Sequence, residues 1–140
     1  MARVLIVEDD PAIRQMLSVA LEMEEYEVSA LGDGAQVIST LRAAEGRVVV
    51  LLDLMMPRVT GWEVCEQLSA EPELAVRHAV VIMSAAIEPG AHFPEFVRAA
   101  LLKPFTLSTA LSLVAALSLE PGLEPDTALA PRAGEFVAHS

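Results

Sequence analysis

Short apolar runs alternate along the chain with stretches in which apolar residues return every three or four positions. Residues 4–7 are aliphatic, and Asp10-Pro11 comes next as a helix N-cap with proline at the first helical position. Ile13, Met16, Leu17, Ala20 and Leu21 then keep the spacing of an amphipathic helix. Residues 27–31 read as a second strand, Gly32-Asp33-Gly34 as a turn, and Val37, Ile38 and Leu41 as a second helix ending near Gly46. Val48-Val49-Val50-Leu51-Leu52 is an uninterrupted apolar run, expected for a strand buried on both faces, and it closes on Asp53. Past a loop at 57–61, Val64, Cys65 and Leu68 mark a third helix, and residues 80–83 a fourth strand ending at Ser84-Ala85. Ile87-Glu88-Pro89-Gly90 and Pro94 interrupt the segment after that strand, leaving room only for a short fourth helix over 95–98. A brief strand at 100–102 leads to Lys103-Pro104-Phe105 and a fifth helix over 106–119. From Glu120 the chain turns into a Pro/Ala-rich tail, expected to be flexible or packed on the domain or a partner. Five strands alternating with helices predict an α/β domain over 1–119, doubly wound, with a parallel sheet and helices on both faces.

Composition narrows the class. The 140 residues suffice for one domain with a real core, and 54% hydrophobic content excludes a wholly disordered chain. A formal net charge of −11 leaves no basic face for non-specific nucleic-acid binding. The single cysteine, Cys65, excludes an intrachain disulfide and points to a reducing compartment. Met1-Ala2-Arg3 runs straight into a strand without a signal-peptide pattern, and no apolar stretch approaches the ~18 residues of a membrane span. The expectation is a soluble, cytoplasmic protein with no membrane contact.

Asp53 is hard to explain by packing, because an ionised group is excluded from a buried strand unless paired or bound to a metal. At the carboxyl end of a parallel strand it instead meets the crevice where such sheets bind ligands. Other predicted strand ends carry polar groups too: Glu8-Asp9-Asp10, Ser84 and Lys103. Carboxylates gathered on one rim repel unless a cation sits among them, and magnesium suits such hard oxygen ligands. Lys103 is the only lysine, against eight arginines. It marks a place that needs a compact point charge rather than a guanidinium fork.

At these residues the chain resembles the receiver (phospho-acceptor) domain of two-component response regulators. The matching stretches are Leu5-Ile6-Val7-Glu8-Asp9-Asp10-Pro11, Leu52-Asp53-Leu54-Met55-Met56-Pro57 with Gly61, Ser84-Ala85, and Leu102-Lys103-Pro104-Phe105. The resemblance implies a flavodoxin-like sheet of strand order 2-1-3-4-5. It implies that Asp53 takes a phosphoryl group from a histidine kinase or histidine phosphotransfer protein. Asp9, Asp53 and the Met55 carbonyl would ligate Mg2+, with Glu8 acting mostly through a bound water. Ser84 would bond one phosphoryl oxygen and Lys103 pair with another. Output would pass to a downstream protein by contact, from a stand-alone receiver that is not an enzyme beyond slow autodephosphorylation.

Blander readings serve the remaining residues. Asp10 is the N-cap rather than a metal ligand, and Cys65 is core. His78, His92 and His139 lack metal spacing and read as surface residues. Trp62 reads as core or loop packing, and Met55-Met56 as loop packing. Three departures from the family pattern stand out. Ala100 occupies a position where the family often carries a switching aromatic, the Ser84–Lys103 interval is short, and residues 105–119 hold no charge. The last of these predicts that the fifth helix is covered, by a second protomer in a homodimer or by Leu123, Leu129 and Phe136 of the tail. Met55 and Ala86 offer no polar group to orient a water, which predicts a long-lived phosphoryl group. Two rival readings are a docking module that is never phosphorylated and an enzyme acting on small phosphorylated molecules. The second lacks a lid or pocket signal.

Overall fold

The computed structural model describes residues 2–120. Five strands, β1 (Arg3–Val7), β2 (Glu27–Leu31), β3 (Val48–Asp53), β4 (Ala79–Ser84) and β5 (Val97–Leu102), form one parallel sheet in the order β2-β1-β3-β4-β5. The helices are α1 (Pro11–Met23), α2 (Val37–Ala43) after a 3-10 turn at Gly34–Gln36, α3 (Gly61–Ser69), the short α4 (Pro72–Ala75) and α5 (Leu107–Ser118). None is long and apolar enough to cross a membrane.

Strand alternation divides the core into two layers. Leu5, Val7, Val50, Leu52, Val80 and Ile82 meet α2 and α3 on one face. Val4, Ile6, Val49, Leu51, Val81 and Met83 meet α1 and α5 on the other. All six residues of β3 are buried, as its unbroken apolar run predicts. The caps agree with the sequence: the Asp10 side chain accepts the Ala12 N–H at 2.9 Å, and Thr60 with Glu63 forms a capping box on α3.

Between β4 and β5 the structure departs from expectation. Residues 95–98 form no helix; a turn at 95–96 opens into β5, which begins at Val97 and is longer than the predicted 100–102. The whole crossover 85–96 is irregular, reversing at Pro89-Gly90, where Gly90 takes a φ of 85°. Phe93 and Phe96 are buried and tie this segment to the α2/α3 layer, so aromatic burial replaces a helix as its anchor. Its neighbour α4 lies before β4 and starts at Pro72, a helix N1 signal.

His78 is a second correction. Fully buried, it accepts the Val48 N–H on Nδ1 at 3.0 Å and so satisfies the first donor of β3. Burial, with Arg77 and Arg47 nearby, pushes its pKa down to about 4. His92 is exposed, as expected, and His139 lies outside the described residues. Cys65 is core, and burial pushes its thiol up to about 12. Arg98, assigned to a helix from sequence, is buried on β5 and pairs with Glu120 at 2.8 Å, while Arg47 approaches the same carboxylate at 3.5 Å. The first residue of the tail is therefore held by two arginines. Leu123, Leu129 and Phe136 lie outside the described residues.

α5 buries Ala110, Val114 and Leu117 against the sheet and leaves Leu119 86% exposed. On α1, Met16, Val19 and Met23 are exposed.

Gly61 opens α3 where the helix presses on the end of β3. A Cβ there would lie 2.4 Å from the Asp53 carbonyl oxygen and 2.7 Å from the Leu54 Cα, both backbone atoms that cannot swing aside. Gly61→Ala is expected to cost about 1–3 kcal/mol, as overpacking does. Urea unfolding with an unchanged m-value checks this; a midpoint equal to the parent's would refute it.

Candidate functional site

The carboxyl ends of β1, β3, β4 and β5 bring the predicted groups to one rim. Glu8 comes directly after β1, and its side chain is fully buried. One oxygen each of Glu8, Asp9 and Asp53 lie within 4.8 Å of one another, with Asp9 exposed. Asp10 stays outside this group and caps α1, as its sequence position predicts. Lys103 leaves the end of β5 and donates to Glu8 Oε1 at 2.8 Å and to Asp53 Oδ2 at 3.3 Å. The chain's only lysine therefore bridges two buried carboxylates.

The electrostatics stem from that burial. Desolvation pushes Glu8 up to about 7, against the bonds from Lys103 and the Asp10 N–H, and nearby Asp53 pushes the same way. Burial by itself would lower Lys103, but its bond to Glu8 and the charges of Asp53 and Glu8 outweigh that and hold it above its ordinary value. The second oxygen of each acid is also held: the Met55 N–H donates to Asp53 Oδ1 at 3.1 Å and the Asp10 N–H to Glu8 Oε2 at 3.1 Å. Met55 is 71% exposed, contrary to the loop-packing role expected of it, while Met56 is buried.

Ser84 is buried on β4, one residue past the register partner of Asp53. Its hydroxyl turns to its own backbone, donating to the Ala86 carbonyl at 2.8 Å. Its carbonyl accepts the Lys103 N–H at 2.7 Å, which couples β4 to the lysine. Ala100, paired with Ile82, is buried and offers no side chain with rotamers to switch.

Two features escape a reading from sequence. Arg14 donates to the Glu8 carbonyl at 2.7 Å, fastening α1 to the acidic loop. Trp62 stacks on Phe93, with ring centroids 5.1 Å apart and planes 8° from parallel. Arg14 stands one turn past the Asp10 cap, a hint of position only; the aromatic pair joins residues far apart in the chain and has no local signal. Two surface cavities, of about 650 and 450 Å³, are lined by Arg42, Glu71 and Arg77, and by Arg3, Ser29 and Thr40. Neither touches Lys103 or the acids.

A parallel 2-1-3-4-5 sheet with an acidic cluster and a lysine on its carboxyl rim defines a phospho-acceptor class of signalling domain. The chain belongs to the response regulator receiver domain family, whose profile matches residues 4–114. Response regulator MprA of Mycobacterium ulcerans is 33% identical over 90% of this chain and 54% of its own length. The DNA-binding response regulator MtrA of Mycolicibacterium smegmatis is 39% identical over 49% of this chain and 30% of its own. The chain thus spans about half the length of MprA, and its match to MtrA covers less. Among solved structures, Vibrio cholerae chemotaxis protein CheY4 superposes with a TM-score of 0.69 at 27% identity, over 84% of this chain and 98% of that one. The receiver domain of the Pseudomonas aeruginosa sensor histidine kinase PA1611, solved with a magnesium ion in its active site cleft, shares the fold. Its TM-score is 0.71 at 19% identity, over 85% of this chain and 98% of its own.

Proposed function

We propose that Asp53 accepts a phosphoryl group from the phosphohistidine of a histidine kinase or histidine phosphotransfer protein, and that the modified domain signals by protein contact. The observation that carries this reading is the Lys103 ammonium, 3.3 Å from Asp53 Oδ2 on a rim shared with two further acids. A carboxylate oxygen of Asp53 bonds to phosphorus as the phosphorus–nitrogen bond breaks, and the electron pair returns to the imidazole. Lys103 turns from Asp53 toward the incoming group and offsets its charge. The Ser84 hydroxyl exchanges the Ala86 carbonyl for a phosphoryl oxygen.

The clustered oxygens fit a hard divalent cation: three carboxylates converge, and burial, with Asp53 nearby, raises the Glu8 carboxyl in a way that a cation among them would offset. Asp9, Asp53 and the Met55 carbonyl would hold Mg2+, with Glu8 reaching it through water. When bound, the ion neutralises the acids and the phosphoryl oxygens, which like-charge repulsion would otherwise keep apart. The chain transfers a single group to itself and turns over no substrate; slow loss of the phosphoryl is its only further chemistry. It meets its kinase in the cytoplasm. A homodimer through α5 is one route of output.

The test is intact mass after incubation with magnesium and acetyl phosphate. The parent is expected to gain one phosphoryl group and Asp53→Ala none. No gain by the parent favours the second reading, a docking module independent of phosphorylation. Buried Ala100 and the helix-free crossover speak for that alternative. Loss of the group within minutes of removing the donor would refute a long phosphoryl lifetime.

A further inference from the structure

Asp9 is the exposed member of the acidic cluster, and among the described residues no hydrogen bond reaches its carboxylate. Its place is therefore set through the backbone that carries it. That backbone is tied on each side. The Glu8 N–H donates to the Leu31 carbonyl at 3.1 Å, the Asp10 N–H to Glu8 Oε2 at 3.1 Å, and the Asp10 side chain caps α1. Between these ties lies the peptide group that joins Glu8 to Asp9. Its carbonyl accepts a bond from Arg14 Nη1 at 2.7 Å, so one side chain holds the plane that relates the two acids.

Arg14 is itself placed by its surroundings. Its backbone N–H donates to the Asp10 carbonyl at 3.0 Å as the first turn of α1 closes, and the residue is half-buried. Its guanidinium passes close to Gly32, where a Cβ would stand 3.3 Å from Nη1 and force it to shift by a few tenths of an ångström. The turn at 32–34 is in turn locked to the loop before α3. Asp33 pairs with Arg58, and a Cβ at Gly34 would come within 2.8 Å of the Val59 carbonyl oxygen.

We infer that Arg14 is a positioning residue of the magnesium site, holding the Glu8–Asp9 peptide so that the Asp9 carboxylate stays beside Asp53. The inference rests on the Mg2+ site proposed above. Arg14 acts through the backbone and touches neither the ion nor the phosphoryl group. Charge and position work with opposite signs here. A guanidinium near a cation site repels the cation, so charge alone predicts that its removal tightens magnesium binding. Loss of position predicts weaker binding, and outer contacts that orient a metal ligand are worth about 10–100-fold in affinity. A half-exposed charge screened by solvent counts for less than that.

Calorimetric titration of the full chain with magnesium chloride tests this. Arg14→Met is expected to weaken Mg2+ binding about tenfold or more. With acetyl phosphate, the half-saturating Mg2+ concentration for mass gain should rise by the same factor, while the rate at saturating Mg2+ stays close to the parent's. Gly32→Ala displaces the guanidinium and keeps its charge; it should weaken binding in the same direction and add nothing on top of Arg14→Met. Circular dichroism and the urea midpoint establish that each variant folds. Parent-like or tighter Mg2+ binding by folded Arg14→Met overturns the inference and leaves the magnesium site standing. So does a Gly32→Ala loss that adds in full to that of Arg14→Met. If Arg14→Met does not fold, Gly32→Ala decides alone, and unchanged Mg2+ binding overturns the inference. A parent that binds no Mg2+ overturns the magnesium reading and this inference with it.

Discussion

Lys103→Met gains the phosphoryl group from acetyl phosphate about a hundredfold or more slowly than the parent, at saturating magnesium and with the fold intact. The size reflects the loss of one preorganised charge aimed at a site of charge development, which costs ~10²–10³ in rate. Methionine keeps the length and apolar stem of the side chain, so packing is nearly conserved and the change is electrostatic. The ammonium now lies 2.8 Å from Glu8 and 3.3 Å from Asp53, and nothing else within the described ion pairs reaches either acid. Without it, Asp53 faces an incoming phosphoryl group with less charge relief. Time courses of intact mass measure the effect. A rate within about threefold of the parent would sink the assigned role, since ~100-fold is the least that this mechanism predicts.

Glu8→Gln stabilises the magnesium-free protein above pH 7 and leaves it unchanged below pH 4.5. The Glu8 carboxyl is raised from 4.5 to about 7 on folding, chiefly by desolvation, so between those values the folded state holds a proton that the unfolded state has released. Stability is therefore lost as pH rises through this window, and glutamine, which resembles the protonated acid, escapes the loss. The difference above the window is ~3 kcal/mol, from 1.36 kcal/mol for each pH unit between 4.5 and about 7. His78 works in the opposite direction. Held neutral with its pKa at about 4, it weakens the fold as pH falls below 6.5. The comparison must therefore be parent minus variant, in which the histidine cancels. Adding magnesium should narrow or reverse the order, because ligand binding adds stability only where the site is intact. Chemical unfolding in chelator across pH measures this; a variant less stable than the parent at high pH would contradict it.

The residues behind these two effects differ in legibility. Lys103 is open to view, being the only lysine and standing after a strand-like run. Asp53 is too, because a charge closing five apolar residues conflicts with burial unless a rim lies there. Glu8, Asp9 and Ser84 fall on the same rim once each strand end is known. The raised pKa of Glu8 is not visible, since it depends on full burial under Lys103, 95 positions away. The surface reading of His78 fails for the same reason. Its partner, Val48, is 30 residues distant, and no spacing rule reports a ring nitrogen that completes another strand's hydrogen bonds.

The helix expected over residues 95–98 shows the limit from the other side. Prolines mark where a helix cannot run, but they do not say what holds the chain instead. Phe93 on Trp62 and the burial of Phe96 do that, and both are contacts across the fold. Arg98 behaves likewise, entering β5 because Val97 pairs with Val80 and its own charge meets Glu120.

By itself the sequence determined the parallel α/β architecture, the rim and the identities of the groups on it. Apolar period, caps and punctuating glycines and prolines are local and act on a residue through its near neighbours. Only the tertiary structure decided which oxygen Lys103 holds, where Ser84 points, why His78 is neutral and what fastens the crossover. Those depend on distances between segments, which burial and desolvation set after the chain has closed on itself.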